Sequence, residues 1–200
     1  MSKCQSIDIY ESLEHCPGEV VLPGLRPRAW GIPKSQILGY PTLPAPGDEG
    51  ATMEDIATLK DDFTLAADSK FFSIDILDTA SSIKAESQGS GHSKTFLNTL
   101  TLKYAGNNAK AAGFCRMANS DDLLFIVQMR DGSFRVMGNE KFKTETKPSQ
   151  DSGMSVTDES GTQLEITVTD LGPAPFYTGK FKTADGIMNC ATGLLESDAA

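Results

Sequence analysis

"LLFIVQMRDGSFRVM", residues 123 to 137, is the stretch from which the fold follows. Leu123 to Met129 lead into Asp131-Gly132, and Phe134-Arg135-Val136-Met137 returns. Asp-Gly between two apolar runs signals a β-hairpin closed by a two-residue turn, because glycine takes the positive φ such turns need. The first arm is apolar on both faces. A strand wetted on one face alternates apolar with polar, so this one is expected to be central and buried.

Further strands read outward from this hairpin. In residues 71–78, Phe72, Ile74 and Ile76 share one face and Ser73, Asp75 and Leu77 the other, a period of two. Residues 63–66 and 164–169 are strand-like, and 176–181 follows Pro173 and Pro175 as a last strand. Residues 144–162, with Gly153 and Gly161, read as a polar loop. Residues 107–118, NNAKAAGFCRMA, form a short helix capped by Asn107 or Asn108, with Ala111, Phe114, Cys115 and Ala118 on one stripe.

"TASSIKAESQGSGHSKTFLNTLTLKY", residues 79–104, is a second and stranger hairpin. Its arms run to about ten residues each, against about 5–6 for a common strand, and hold few large apolar side chains. Phe96, Leu100, Leu102 and Tyr104 root the return arm in the core, whereas residues 84–94 are too polar to bury alone. A protruding polar ribbon leaves strand edges unpaired, a hazard that identical hairpins paired in a closed ring would remove. Lys84, Glu86, Gln88, Gly89, Gly91, His92 and Lys94 are therefore the candidate inter-subunit residues.

Seven of the ten prolines (Pro17, Pro23, Pro27, Pro33, Pro41, Pro44 and Pro46) fall within residues 1–50. Proline fixes its own φ and pushes its predecessor toward extended geometry. The expectation is an extended arm over 1–50, anchored by Trp30 and lying on its own domain or on a neighbour. A β-domain follows over 51–189, and a flexible tail over 190–200. The fold class is mainly β, an antiparallel sandwich or partly closed barrel of six to eight strands, with one short flanking helix, a long protruding hairpin and that arm.

Composition bounds the function. Apolar residues make up 39% of the chain, enough for a lean core, and the net charge of −9 disfavours gripping phosphates while suiting a surface that nucleic acid slides past. The four cysteines, Cys4, Cys16, Cys115 and Cys190, form no CxxC pair and read as structural thiols of a reduced, cytosolic protein. No signal-like start and no run of about 20 apolar residues is present, so no membrane partner is expected.

Chemistry-bearing motifs are missing. There is no phosphate-binding glycine loop, nucleophile elbow or HExxH. Ser90 and His92 sit on a turn with no orienting acid, and strands flank Gly89 and Gly91 where a phosphate loop needs a helix behind it. His15 and Cys16 with Cys4 have the atoms for zinc but not the spacing, and Asp151 with Glu159 does not fit a calcium loop. Paired acids such as Asp121-Asp122 and Asp158-Glu159 read as solvated surface. No catalytic residue, cofactor or metal is assigned, and the chain is not read as an enzyme.

The segment "KTFLNTLTLKYAGNNAKAAGFCRMANSDDLLFIVQMRDGSFRVMGNEKFKTETKP", continued by "GTQLEITVTDLGPAPFYTG", resembles tail tube and related virion structural proteins of tailed phages and prophages, particularly those of gut Bacteroidetes. The resemblance covers roughly residues 80–180, about half the chain. It implies a two-sheet β-sandwich or barrel whose subunits form hexameric rings stacked into a hollow tube. In that family the long hairpin contributes to the channel wall and to ring–ring contacts, and terminal segments reach neighbours. Carried over, residues 79–104 are that hairpin, 107–118 the flanking helix and 123–137 core sheet.

The implied partners are other copies of the chain and other tail proteins. DNA would pass through the lumen without specific binding. The implied location is the virion tail, assembled in the host cytoplasm. Two other readings stand beside it. One is a different virion ring component, such as a tail terminator, head–tail connector or baseplate ring. The other is a non-viral β-sandwich module binding a glycan or protein, with Trp30, Tyr40 and Tyr177 as its aromatic candidates.

Overall fold

In the computed structural model, which describes residues 9–18, 20–155 and 160–197, the chain is mainly antiparallel β-sheet. Its strands in chain order are β1 (Leu25–Pro33), β2 (Ile37–Gly39), β3 (Thr58–Leu59), β4 (Thr64–Leu65), β5 (Phe72–Asp75), β6 (Ser82–Gln88), β7 (Thr95–Tyr104), β8 (Leu123–Met129), β9 (Phe134–Met137), β10 (Glu145–Asp151), β11 (Gly161–Asp170), β12 (Phe176–Tyr177), β13 (Lys180–Thr183), β14 (Gly186–Asn189) and β15 (Leu194–Glu196). One helix, α1 (Ala109–Ala118), lies between β7 and β8. The strands outnumber the six to eight expected because several span only two to four residues, too few to show a period.

A six-stranded sheet has the order β3-β12-β9-β8-β1-β5, and a four-stranded sheet the order β10-β11-β7-β6. Strand β8 sits inside the larger sheet, antiparallel to both β9 and β1. Its Leu123, Phe125 and Val127 pack with Leu100, Leu102, Leu164 and Ile166 of the smaller sheet, which makes the sandwich core. Leu124 and Ile126 point the other way, into a second cluster with Trp30, Phe63, Phe71, Phe134, Tyr177 and Phe181. Strand β8 therefore needs apolar residues from Leu123 to Val127, since burying one such side chain contributes about 1.5–3 kcal/mol, while the buried Gln128 donates from Nε2 to Gly132 O at 3.1 Å. Phe72, Ile74 and Ile76 join the sandwich core from a single face, as their alternation requires.

The second cluster is covered by the three-stranded sheet β13-β14-β15 and the pair β2-β4, which supply Phe181, Met188, Ile37 and Leu65. Trp30 packs edge-on to Phe181 with ring centroids 5.5 Å apart. Helix α1 starts at Asn108, whose side chain accepts a hydrogen bond from Ala111 N at 2.9 Å. Ala111 and Ala118 are its buried residues.

Several expectations need correction. The extended arm is shorter than 1–50: the β-domain begins at Leu25, because β1 is an internal strand paired with both β8 and β5. Its prolines are tolerated by position, since Pro27 lies where the register with β8 shifts and Pro33 closes the strand. Residues 9–18 and 20–24 form no helix or strand.

The loop expected over 144–162 contains β10, a seven-residue partner of β11 that runs from Glu145↔Thr167 to Asp151↔Gly161. Polar residues and Pro148 hide it, yet both are ordinary on an edge strand. The β8–β9 connection has four residues, 130–133, not two. Met129 N donates to Ser133 O at 2.7 Å, and Gly132 takes φ +103. Asp131 holds the longer connection, because its carboxylate accepts from Ser133 N at 2.8 Å and Ser133 Oγ at 2.7 Å. Past Cys190 the chain is not simply a loose tail, since β15 pairs with β14. Cys4 and the Asp158-Glu159 pair lie outside the described residues.

Candidate assembly interface

The hairpin of residues 79–104 forms as β6 and β7, in register from Ser82↔Thr101 to Gln88↔Thr95. It is not a free ribbon. Strand β7 is paired on its far side with β11, without a break, from Thr162↔Tyr104 to Asp170↔Phe96. Only the outer edge of β6 and the tip, residues 89–94, stand clear, and every tip residue is exposed.

The tip conformation depends on glycine. Gly89 has φ +85, and a Cβ there would collide with the Ser93 carbonyl oxygen. Gln88 anchors the start of the tip by reaching across β7, where its Nε2 donates to Thr169 Oγ1 at 3.1 Å. Among the described residues Ser90 and His92 share no hydrogen bond, and Ser90 O accepts from Ser93 N at 3.1 Å.

Directly paired residues share a face of a sheet, so the register defines the outer face of the four-stranded sheet row by row. Lys84, Thr99, Thr167 and Glu145 make one row, and Ser82, Thr101, Glu165 and Lys147 the next. Glu86, Leu97 and Thr169 make a third; Lys103, Gln163 and Ser149 a fourth. The face is broad and polar. With Asp151 it carries Lys84, Lys103 and Lys147 against Glu86, Glu145, Glu165 and Asp151, three positive groups to four negative. No basic stripe is present to hold phosphates. Lys84 Nζ and Glu86 Oε1 pair at 2.7 Å, but with side chains 66% and 60% exposed the pair contributes little.

Sequence reasoning found the β6 and tip residues of this surface and missed Glu145, Lys147, Ser149 and Glu165 opposite them. Their alternation was readable in β11, but β10 looked like a loop. The two edges of the sheet also differ. Strand β10 is interrupted by Pro148, which lacks an N–H, and α1 packs beside it. Strand β6 has neither protection.

Two further surface features stand out. In the segment before β1, Tyr10, Leu13, Val20 and Val21 are from 77% to 91% exposed. A groove of about 670 Å³ opens between α1 and β5, lined by Phe72, Ile74, Leu102, Phe114, Leu123 and Leu164 among others.

The displaced pKa values have two causes, burial for Cys190, Tyr177, Cys115 and Arg135, and surface hydrogen bonds for Asp55. Burial pushes the Cys190 thiol and the Tyr177 phenol up, and Tyr177 OH donates to Lys180 O at 2.8 Å. Burial also raises the Cys115 thiol, the opposite of an activated nucleophile. Arg135 is lowered by desolvation, with its guanidinium 4.0 Å over the Phe176 ring and Nη1 donating to Ala174 O at 2.8 Å. Asp55 is held at about 2 by hydrogen bonds from Lys60 and Thr52 at the surface.

Among the described residues no group of three His, Cys, Asp or Glu side chains is placed to hold a metal ion, and His15 and Cys16 are exposed in the extended segment. Among them, too, no helix is long and apolar enough to cross a membrane. Trp30 and Tyr177 are 4% and 1% exposed, so the aromatic residues considered as a binding platform lie inside the fold, and Tyr40 leans on Phe63. Comparison with protein-family models, with curated proteins and with solved structures gives no match.

Proposed function

We propose that this chain is a structural virion protein, a tail tube subunit that self-assembles into stacked hexameric rings around a channel for genome passage. The observation that carries this reading is the four-stranded sheet: a broad polar face with no basic stripe, bounded on one side by the unprotected edge of β6. An open strand edge is a template for pairing with another chain, and a head-to-tail contact repeated around a closed ring consumes every such edge. A polar, nearly charge-balanced face turned toward the lumen wets the channel, and the net charge of −9 keeps DNA from adhering. The exposed tip at 89–94 projects beyond the sheet, where it reaches an adjacent ring.

The resemblance of residues 80–180 to tail tube proteins supports the same assignment. Negative-stain electron microscopy of the purified full chain tests it. Rings and hollow tubes are expected; monomers only, even in concentrated protein, overturn it. Single rings that never stack favour a terminator, connector or baseplate component. Replacing residues 86–93 with a tight turn is expected to leave the domain folded and to block tube growth, and tubes of normal length from that variant defeat the assigned role of the hairpin.

A further inference from the structure

Strand β10 is held differently from the other strands of the four-stranded sheet. Strands β7 and β11 send Leu100, Leu102, Leu164, Ile166 and Val168 into the sandwich core, and Ile83 of β6 packs against it. No residue of β10 belongs to either apolar cluster. Opposite Ile166 and Leu164 it offers Thr146 and Pro148. Thr146 and the preceding Thr144 are 4% and 0% exposed, and neither hydroxyl has a hydrogen-bond partner among the described residues. A buried hydroxyl without a partner opposes folding, so the inward side of β10 adds little to its own retention. Helix α1 lies beside β10 without drawing it into the core.

The side-chain anchors of β10 are at its ends. Lys34 follows β1 and Asp122 precedes β8, and Lys34 N donates to Asp122 O at 2.9 Å, so the two stand side by side on the larger sheet. Lys34 Nζ, on a side chain 10% exposed, lies 2.9 Å from Asp122 Oδ1 and donates to Phe142 O at 2.7 Å. The same Asp122 oxygen accepts from Thr144 N at 2.9 Å. One ion pair thus grips the main chain at two points just before β10 begins. At the far end Gln150 Nε2 donates to Thr162 Oγ1 at 3.0 Å and Ser160 Oγ to Asp151 O at 3.1 Å, and both Gln150 and Asp151 are exposed. Beneath β10 runs β11, ten residues from Gly161 to Asp170 without a proline.

We propose that β10 is a strap that opens separately from the rest of the fold, and that Lys34 and Asp122 form the clasp that keeps it closed over β11. Opening bares the edge of β11, a long template onto which a strand of another copy can add. A closed strap leaves the β6 edge open and the β11 edge covered, so that copies pair in one direction. The strap is a property of the single chain; its consequence for pairing deepens the self-assembly reading and rests on it.

Residue-resolved amide exchange in the full chain, dilute enough to be monomeric, tests the strap. Successive residues of an inner antiparallel strand bond alternately to its two neighbours. The β11 amides that face β10 are expected to exchange at least about tenfold faster than those that face β7, because local opening frees only the first set. Lys34→Met combined with Asp122→Ala removes the clasp without leaving a buried charge unpaired. It should raise that ratio about tenfold further while β7 and β8 keep their rates. Lys34→Met alone, which leaves the more exposed Asp122 solvated, is read in the same way if the double variant does not fold. Uniform exchange along β11 overturns the strap. A variant that leaves the ratio unchanged, or that speeds β7, β8 and β11 alike, overturns the clasp. Electron microscopy separates the two readings: rings together with uniform exchange overturn the strap alone, and alternation without rings overturns the ring reading alone.

Discussion

The hairpins β8–β9 and β6–β7 share a topology and differ in nearly everything that stabilises them. Strand β8 has neighbours on both edges and apolar clusters on both faces, and Leu124 through Val127 are 0% exposed. Strand β6 has one neighbour, is mostly exposed on both faces, and ends in a tip without contacts to the core. The first hairpin can be understood inside one chain. The second has a long, open, polar edge that a lone subunit does not need, and such an edge is normally blunted, as Pro148 blunts β10. The difference separates a strand enclosed on both edges and both faces from one that keeps an open edge and exposed faces.

Substitutions should divide along the same line. The largest effect belongs to Phe125→Ala, which removes a fully buried ring set edge-on to Phe72 at 6.5 Å. A loss of about 3–5 kcal/mol is expected by chemical denaturation, and a loss below about 1 kcal/mol would show that the core closes around the gap. Next is Gly132→Ala in the connection of the same hairpin. With φ +103 at that position, a side chain costs roughly 1–3 kcal/mol, read from the same denaturation curves. The smallest effect on folding is expected in the other hairpin. Lys84→Ala combined with Glu86→Ala should change stability by no more than about 0.5 kcal/mol, because the pair is exposed. The same double variant should reduce ring and tube yield in electron micrographs. A large loss of thermal stability with assembly intact would reverse the comparison.

Legibility followed the physics of each element. The buried strand at 123–129, the alternation of Phe72, Ile74 and Ile76, the helix with a cap at Asn107 or Asn108, and the bounds of the long hairpin were all readable, because each is set by local pattern. Strand β10 was not, since an edge strand needs no apolar face and tolerates Pro148. Strand β1 was obscured by Pro27 and Pro33, whose positions at a register shift and at a strand end are properties of pairing, not of composition. The candidate interface was readable on β6 and at the tip. Its opposite half, Glu145, Lys147 and Glu165, required the register of β10 on β11.

By itself the sequence determined the class of fold, the place of the central strand and the lack of a recognisable catalytic motif, because periodicity, turn residues and motif spacing are local. Only the tertiary structure decided that Trp30 belongs to a buried aromatic cluster, that the long hairpin is the open half of a four-stranded sheet, and that an apolar groove borders α1. Those outcomes depend on which strands become neighbours. Pairing between segments far apart in the chain is chosen by the burial of whole faces together, and no single stretch encodes it.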